Sequence, residues 1–269
     1  MSNYIHVWGT LDNFSWDGTN ISTVYFYPIH FVKGIMPAQS QYVLNSPEKS
    51  GVVQVNKKFN PRPLTIQGYI EGTSHATLIT RIQALSSFLY EDSDVQLIYS
   101  NESDRYYNAQ YLDYVEIKRR VDYALLDLKF LCNDPFGYDI TADTDTQAGI
   151  TTDDTTFSIA NGGHYYAYPT ITITFNQVQT HIYIQNNTIT GNRIDISKSF
   201  AVADELEIDC KNETVKLNGS HSPAGTGDGG EGLAEWIVLA TGANQLQVGT
   251  DDGSIDIDVV TSFEKVYLS

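Results

Sequence analysis

The sequence predicts a mostly β protein, and three observations predict it. Thr, Ile and Val recur alongside 18 Tyr and 11 Phe, the residue types that fit a pleated, half-buried surface. They fall in short segments where apolar and polar side chains alternate, the period of a strand with one face in a core. One segment alone carries apolar residues at helical spacing, and Leu-rich helical stretches are otherwise scarce. At 269 residues the chain is long enough for one large domain or two ordinary ones, and a 41% hydrophobic content fills their cores.

Along the first half, strands are predicted at 23–31, 52–55, 64–70, 95–99, 105–117 and 123–131. Within 75–90, Leu78, Ile79, Ile82, Leu85, Phe88 and Leu89 are spaced three and four apart and share one helix face, and Ser74 is placed to cap that helix. The basic Lys118-Arg119-Arg120 separates a Tyr-rich strand from 123–131, which reads as a hairpin with a charged turn. The run 139–156 has few large apolar residues and no lasting period, so it is expected to be an acidic Thr/Asp-rich linker between a domain at 1–138 and another at 157–269. Beyond it the pattern is all strand, at 170–175, 181–184, 193–196, 205–208, 214–217, 236–239, 245–248 and 254–260. Short strands about ten residues apart predict a β-sandwich. The glycine-rich 218–232 is too small and polar to pack and is expected to be a mobile loop.

The net charge of −17 is uneven. Up to Tyr138 there are 11 Lys+Arg against 14 Asp+Glu, a net of −3, and beyond it 5 against 19, a net of −14. An acidic second half argues against a grip on nucleic acid, which uses Lys and Arg at phosphates, and fits a surface facing water or a cationic partner. No stretch approaches the roughly 20 apolar residues of a membrane helix, and the first ten residues lack the pattern of a secretory signal, so a soluble protein made in a cytoplasm is expected. Cys132 and Cys210 are far apart and outside any CxxC or Cys/His cluster, so buried free thiols are expected, with neither a disulfide framework nor a zinc site.

Motifs for chemistry are missing. The histidines His6, His30, His75, His164, His181 and His221 are scattered, without HExxH or paired-ligand spacing, and there is no GxSxG elbow. The glycine-rich loop lacks the Gly-Lys-Ser/Thr ending of a phosphate-binding loop. Carboxylate pairs such as Asp153-Asp154 are too common in an acidic chain to select one for glycoside hydrolysis. The run from Asp251 to Asp258 offers oxygen ligands but does not match an EF-hand, and a turn is the simpler reading. Lys57-Lys58 and Lys118-Arg119-Arg120 lack a surrounding basic stripe, so interface salt bridges or solvated turns are the simpler reading there. Tyr165, Tyr166 and Tyr168 are candidates to stack on sugars, whose hydroxyls seek polar partners; Trp236, set in Ala-Glu-Trp-Ile-Val-Leu, is better read as a sheet-packing residue. No enzyme, cofactor or metal is expected.

The order of the segments carries more than any one of them. Arg62-Pro-Leu-Thr-Ile-Gln-Gly-Tyr-Ile-Glu-Gly72 is followed by the helix, the Tyr-rich hairpin and Leu128-Lys-Phe-Leu-Cys-Asn-Asp-Pro-Phe-Gly-Tyr138, an apolar strand running into an Asp-Pro-aromatic turn. Then come Phe157-Ser-Ile-Ala-Asn-Gly-Gly163, Tyr168-Pro-Thr-Ile-Thr-Ile173, Ile182-Tyr-Ile-Gln-Asn-Asn-Thr188, Asp204-Glu-Leu-Glu-Ile-Asp209, Thr214-Val-Lys-Leu-Asn-Gly219 and Trp236-Ile-Val-Leu-Ala-Thr-Gly-Ala-Asn-Gln-Leu246. This succession resembles the siphophage distal tail protein family over nearly the whole chain, more loosely before residue 60.

The resemblance implies a β-rich ring-forming (belt) domain with one α-helix, followed by a galectin-like or carbohydrate-module-like β-sandwich. It implies a homo-hexameric ring at the tail tip of a virion, assembled in the host cytoplasm and able to stack back to back in isolation. The ring would join the tail tube protein to the baseplate and to a tail-associated hub or lysin protein, with receptor-binding proteins or host glycans as outer partners. A closed heterologous ring needs two complementary faces per subunit, and exposed strand edges can supply them. The hairpin residues Tyr106, Tyr111, Tyr114, Lys118, Arg119 and Arg120 are the candidates. An acidic lumen would repel phosphates and let DNA pass without sticking. The alternative from another class is an adhesin whose sandwich binds a host cell-surface carbohydrate.

Overall fold

A computed structural model describes residues 13–45, 52–112, 118–119, 122–221 and 236–269. The chain divides into two compact units, Met1–Tyr138 with Leu268–Ser269, and Asp139–Tyr267. Both are built from strands, and no helix among the described residues is long and apolar enough to cross a membrane.

The strands of unit 1 are β1 (Phe14–Trp16), β2 (Thr19–Asn20), β3 (Phe26–Val32), β4 (Gln39–Asn45), β5 (Val52–Phe59) and β6 (Arg62–Glu71), then, after helix α1 (His75–Leu89), β7 (Val95–Tyr99), β8 (Arg105–Tyr111), β9 (Lys118–Arg119), β10 (Tyr123–Cys132) and β11 (Gly137–Asp139). The main sheet runs β2-β1-β7-β8-β10-β6-β3, with β9 beside β10 and β11 beside β8. Its spine is the antiparallel β6/β10 pair, in register from Tyr123 opposite Glu71 to Cys132 opposite Arg62. Both strands alternate strictly. Leu64, Ile66 and Ile70 on β6, and Ala124, Leu126, Leu128 and Phe130 on β10, enter the core while Gln67, Glu71, Asp127 and Lys129 face out.

The sheet curls until distant strands share one core. Phe14 of β1, second in the order, meets Phe26 of β3, the last strand, edge-on at 6.3 Å, and Trp16 packs on Phe130 at 5.0 Å. Gly68 makes room for Phe26, whose ring occupies the space a Cβ would take. Helix α1 closes the core with Leu78, Leu85 and Leu89. Ser74 caps it as expected, accepting from Thr77 N at 3.2 Å, and the helix stops one residue short of the expected range because Tyr90 turns extended.

β4 and β5 form a separate ribbon. β8 ends at Tyr111 and meets β10 only at Phe130 and Leu131. Lys118 and Arg119 are not a turn: they pair in β9 with Leu125 and Ala124. Tyr114 and Arg120 lie outside the described residues.

Unit 2 contains β12 (Asp143–Ile150), β13 (Thr155–Asn161), β14 (Thr170–Phe175), β15 (Gln179–Asn186), β16 (Arg193–Phe200), β17 (Glu205–Asp209), β18 (Thr214–Leu217), β19 (Ser220–His221), β20 (Gly242–Gly249), β21 (Ile257–Phe263) and β22 (Val266–Tyr267). One sheet is ordered β12-β21-β14-β17-β18-β19 and the other β13-β20-β15-β16. Ile171, Ile173, Leu206, Ile208 and Val259 of the first sheet and Ile159, Ile182, Ile184, Ile194, Ile196 and Leu246 of the second are buried. Phe175 and Phe200 stack across the sandwich at 4.2 Å and 7°.

The run 139–156 is not a linker: β12 pairs with β21 from Asp143 opposite Phe263 to Ile150 opposite Ile257, and Thr155 and Thr156 already belong to β13. As the outermost strand of its sheet, β12 takes its stability from the ladder and needs almost no apolar side chains, and Ile150 is its one buried residue. The stretch 236–239 is not a strand: its one bridge joins Leu239 to Ala167. Side-chain amides take the place of a partner strand. Asn192 donates to Trp236 O at 2.6 Å and accepts from Val238 N at 2.8 Å, Asn186 donates to Val238 O at 2.7 Å, and Asn161 donates to Leu239 O at 3.1 Å. Of the expected loop at 218–232, residues 222–232 lie outside the described residues, and Asn218 and Gly219 form the left-handed turn between β18 and β19.

Candidate functional site

The aromatic candidates of unit 2 lie on the connection between β13 and β14. Asn161 fixes its start, accepting from Gly163 N at 2.9 Å and donating to Tyr165 O at 3.0 Å, and Ala167 holds its end through paired backbone bonds with Leu239. Between these anchors the side chains alternate. Ala167 and Pro169 are buried, whereas Tyr166 and Tyr168 are each 46% exposed. Tyr165 is half-buried and meets Tyr166 edge-on at 5.3 Å. Burial pushes the Tyr165 phenol above its ordinary range, with the neighbouring Tyr168 and Tyr166 adding to it. The group offers two exposed aromatic faces with hydroxyl edges, suited to stacking with peripheral hydrogen bonds.

The hairpin candidates of unit 1 are placed differently from the expectation. Tyr106 is 6% exposed and stacks on Tyr138 at 5.7 Å. Tyr111 is half-buried, edge-on to Phe130 at 5.7 Å. These rings fill the domain's own interior, which an aromatic-rich strand does whenever its aromatic positions face the core. The large apolar side chains it leaves outside are Leu112 and, on the facing strand, Leu125.

The sequence reading missed a polar cluster in unit 1. Arg62, 2% exposed, donates to Gly34 O at 2.6 Å and Leu268 O at 3.3 Å. Arg105 donates to Ser269 O at 3.2 Å, as does Tyr107 at 3.3 Å, and Tyr107 also meets Glu102 and Lys33 at 3.0 Å. Lys33 pairs in turn with Glu102. Burial pushes the Tyr107 phenol far up, with Glu102 adding to it, and lowers the Lys33 ammonium. Each of these groups has a partner in the cluster, so it reads as a clamp on residues 268–269. No sequence motif marks it, since its members are spread from Lys33 to Ser269.

A second network covers the four-stranded sheet of unit 2. Arg193 lies 3.8 Å over the Tyr183 ring and grips Asp195, His181 stands 3.6 Å from Asp195, and Gln185 bonds Gln247 at 2.8 Å. These side chains satisfy one another. Among the described residues no group of three or more His, Cys, Asp or Glu could hold a metal ion. Cys132 and Cys210 are buried, and burial pushes both thiols up to about 12.

Two families match this chain in the order of its two units. Residues 17–132 match the phage tail protein RIFT-related domain, and residues 162–267 the C-terminal domain of the siphovirus-type tail component. The distal tail protein of Bacillus phage SPP1 is 29% identical over 174 residues, 63% of this chain and 66% of that protein. The crystal structure of the SPP1 Dit protein, described as a paradigm of the hub adsorption apparatus in phages infecting Gram-positive bacteria, has the same fold. Its TM-score is 0.79 at 19% identity, over 96% of this chain and 100% of that one.

Proposed function

Because this chain belongs to the siphophage distal tail protein family, we propose that it is the ring subunit at the tail tip, six copies closing around a channel through which DNA passes. The observation that carries this reading is the succession of two tail-component domains within one fold that follows the SPP1 protein over 96% of the chain. The role is structural, without catalysis. The proposed neighbours are the tail tube protein on one side and a hub or lysin protein of the baseplate on the other, with receptor-binding proteins outside. Native mass spectrometry of the purified chain, with electron-microscope class averages of the same sample, tests it. A hexamer with a central hole, or two such rings back to back, is expected, and a monomer at all concentrations refutes ring formation.

The exposed faces of Tyr166 and Tyr168 favour a second reading, in which the galectin-like sandwich binds a host wall carbohydrate. Wild-type chain should then bind purified wall polysaccharide, and the Tyr166→Ala/Tyr168→Ala variant should not. Equal retention of both proteins sinks this reading and leaves the ring untouched.

A further inference from the structure

Four exposed apolar side chains of unit 1 fall on one stretch of the chain. Ile29 and Val32 of β3 are 46% and 44% exposed, and Ile35 and Met36 in the connection to β4 are 91% and 45%. Among the described residues β3 ends its sheet and has an edge with no strand beside it. Pro28 has no N–H to offer, and a bulge between Pro28 and His30 breaks the register. This stretch is therefore poorly made for adding a strand, and it presents side chains instead. A cationic segment follows it along the chain: Lys58 stands opposite Ser40, four residues past Met36, and Lys57 opposite Gln41. Both lysines are exposed. The β4/β5 ribbon that carries them bonds to no other strand among the described residues, although a two-stranded ribbon is marginal in water by itself.

A second corner has the opposite character. Just past α1, Tyr90 is 72% exposed, and Glu91, Asp92 and Asp94, all exposed, follow it. The Tyr90 hydroxyl donates to Asp92 at 2.9 Å, which leaves an aromatic face beside carboxylates. One stretch is apolar and followed by a cationic segment, and the other is aromatic and followed by carboxylates. They lie on different elements of the same unit, as a head-to-tail contact between identical copies requires, and their charges attract.

We propose that Ile29, Val32, Ile35 and Met36 with Lys57 and Lys58 form one side of the contact between copies of this chain, and that the Tyr90–Asp94 corner of a second copy forms the other. This rests on the ring reading above, and the test separates the two. Assembly of the full chain is followed by native mass spectrometry against concentration for wild type, K57E/K58E, E91K/D92K and the chain carrying all four substitutions, with unchanged circular dichroism as the check on folding. Each reversal should raise the concentration for half-assembly tenfold or more. The combined chain, with its signs exchanged but still complementary, should recover the wild-type value. Ile35→Asp should weaken assembly independently of the charge swap. A wild-type ring that withstands both reversals, or a folded combined chain that does not recover, overturns this contact and leaves the ring standing. A wild-type chain that never assembles overturns the ring reading and this contact with it.

Discussion

Replacing Asn244 with Asp exchanges one NH2 for one oxygen in a side chain that is fully buried. The Asn244 amide donates to Ala240 O at 2.8 Å and Gly242 O at 3.1 Å, while its Oδ1 accepts from Ala240 N at 2.9 Å and Asn186 Nδ2 at 3.0 Å. A carboxylate keeps the accepting half and faces two carbonyl oxygens with the other. The favoured response is to hold the proton, so the carboxyl ionises far above its unfolded range of about 4. The sign follows. A group whose folded pKa is raised binds its proton more tightly when folded, so its contribution is fully present below the unfolded pKa and is lost as pH rises through the folded one. A rise of about three pH units corresponds to about 4 kcal/mol at neutral pH. In acid one donor is still missing, at about 1–2 kcal/mol. N244D should therefore lose about 1–2 kcal/mol at pH 4 and about 5–6 kcal/mol at pH 7.5. Asn244→Ala, which cannot titrate, should lose about 2–4 kcal/mol at both pH values. Urea unfolding followed by tryptophan fluorescence measures this, because Trp236 is the one Trp of unit 2. Equal losses for N244D at the two pH values would refute the claim that this amide is bonded at both ends.

Gly68→Ala should cost unit 1 about 1–3 kcal/mol by driving a methyl group into the Phe26 ring, and a melting temperature within a degree of wild type would contradict the packing described. Cys132 and Cys210 should be inert to a thiol-specific disulfide reagent at pH 8 in the native chain and both react in denaturant, so a stoichiometric native reaction would show that a thiol is reachable. The Asp252 carboxyl is held below its ordinary range, first by the Thr180 hydroxyl and then by the Thr180 amide. A depressed pKa gives stability that is present above the unfolded value near 4 and lost as pH falls through the folded one. Asp252→Asn should thus flatten the acid limb of the stability profile, and an unchanged limb would count against it.

What could be read from the sequence was read where a side-chain pattern and the core agree. The long alternation of 64–70 and 123–131 is the β6/β10 spine, and the spacing from Leu78 to Leu89 with Ser74 ahead of it is α1. Reading failed where backbone bonding is decided by something other than an apolar face. β12 is polar because the outermost strand of a sheet can be. The stretch 236–239 looks like a strand because Ile237 and Leu239 do enter the core, yet its bonds come from asparagine side chains far away in sequence. Tyr106, one of the hairpin candidates, could not be placed for a third reason: a tyrosine's character does not say which way it faces, and Tyr106 faces in. Of the surfaces, Tyr166 and Tyr168 were legible as exposed aromatics, whereas the apolar stretch around Ile35 emerges only once its neighbours are in place.

The clamp around Arg62 also sets an order in time. Its acceptors at Leu268 and Ser269 are translated after all of unit 2, although they complete unit 1. Translation at about 5–20 residues per second puts on the order of ten seconds between the two parts of that domain. Throughout that interval the nascent first unit lacks the acceptors that Arg62 and Arg105 use in the finished fold. A first unit sealed by residues that follow the second keeps that seal open until the second unit has been translated.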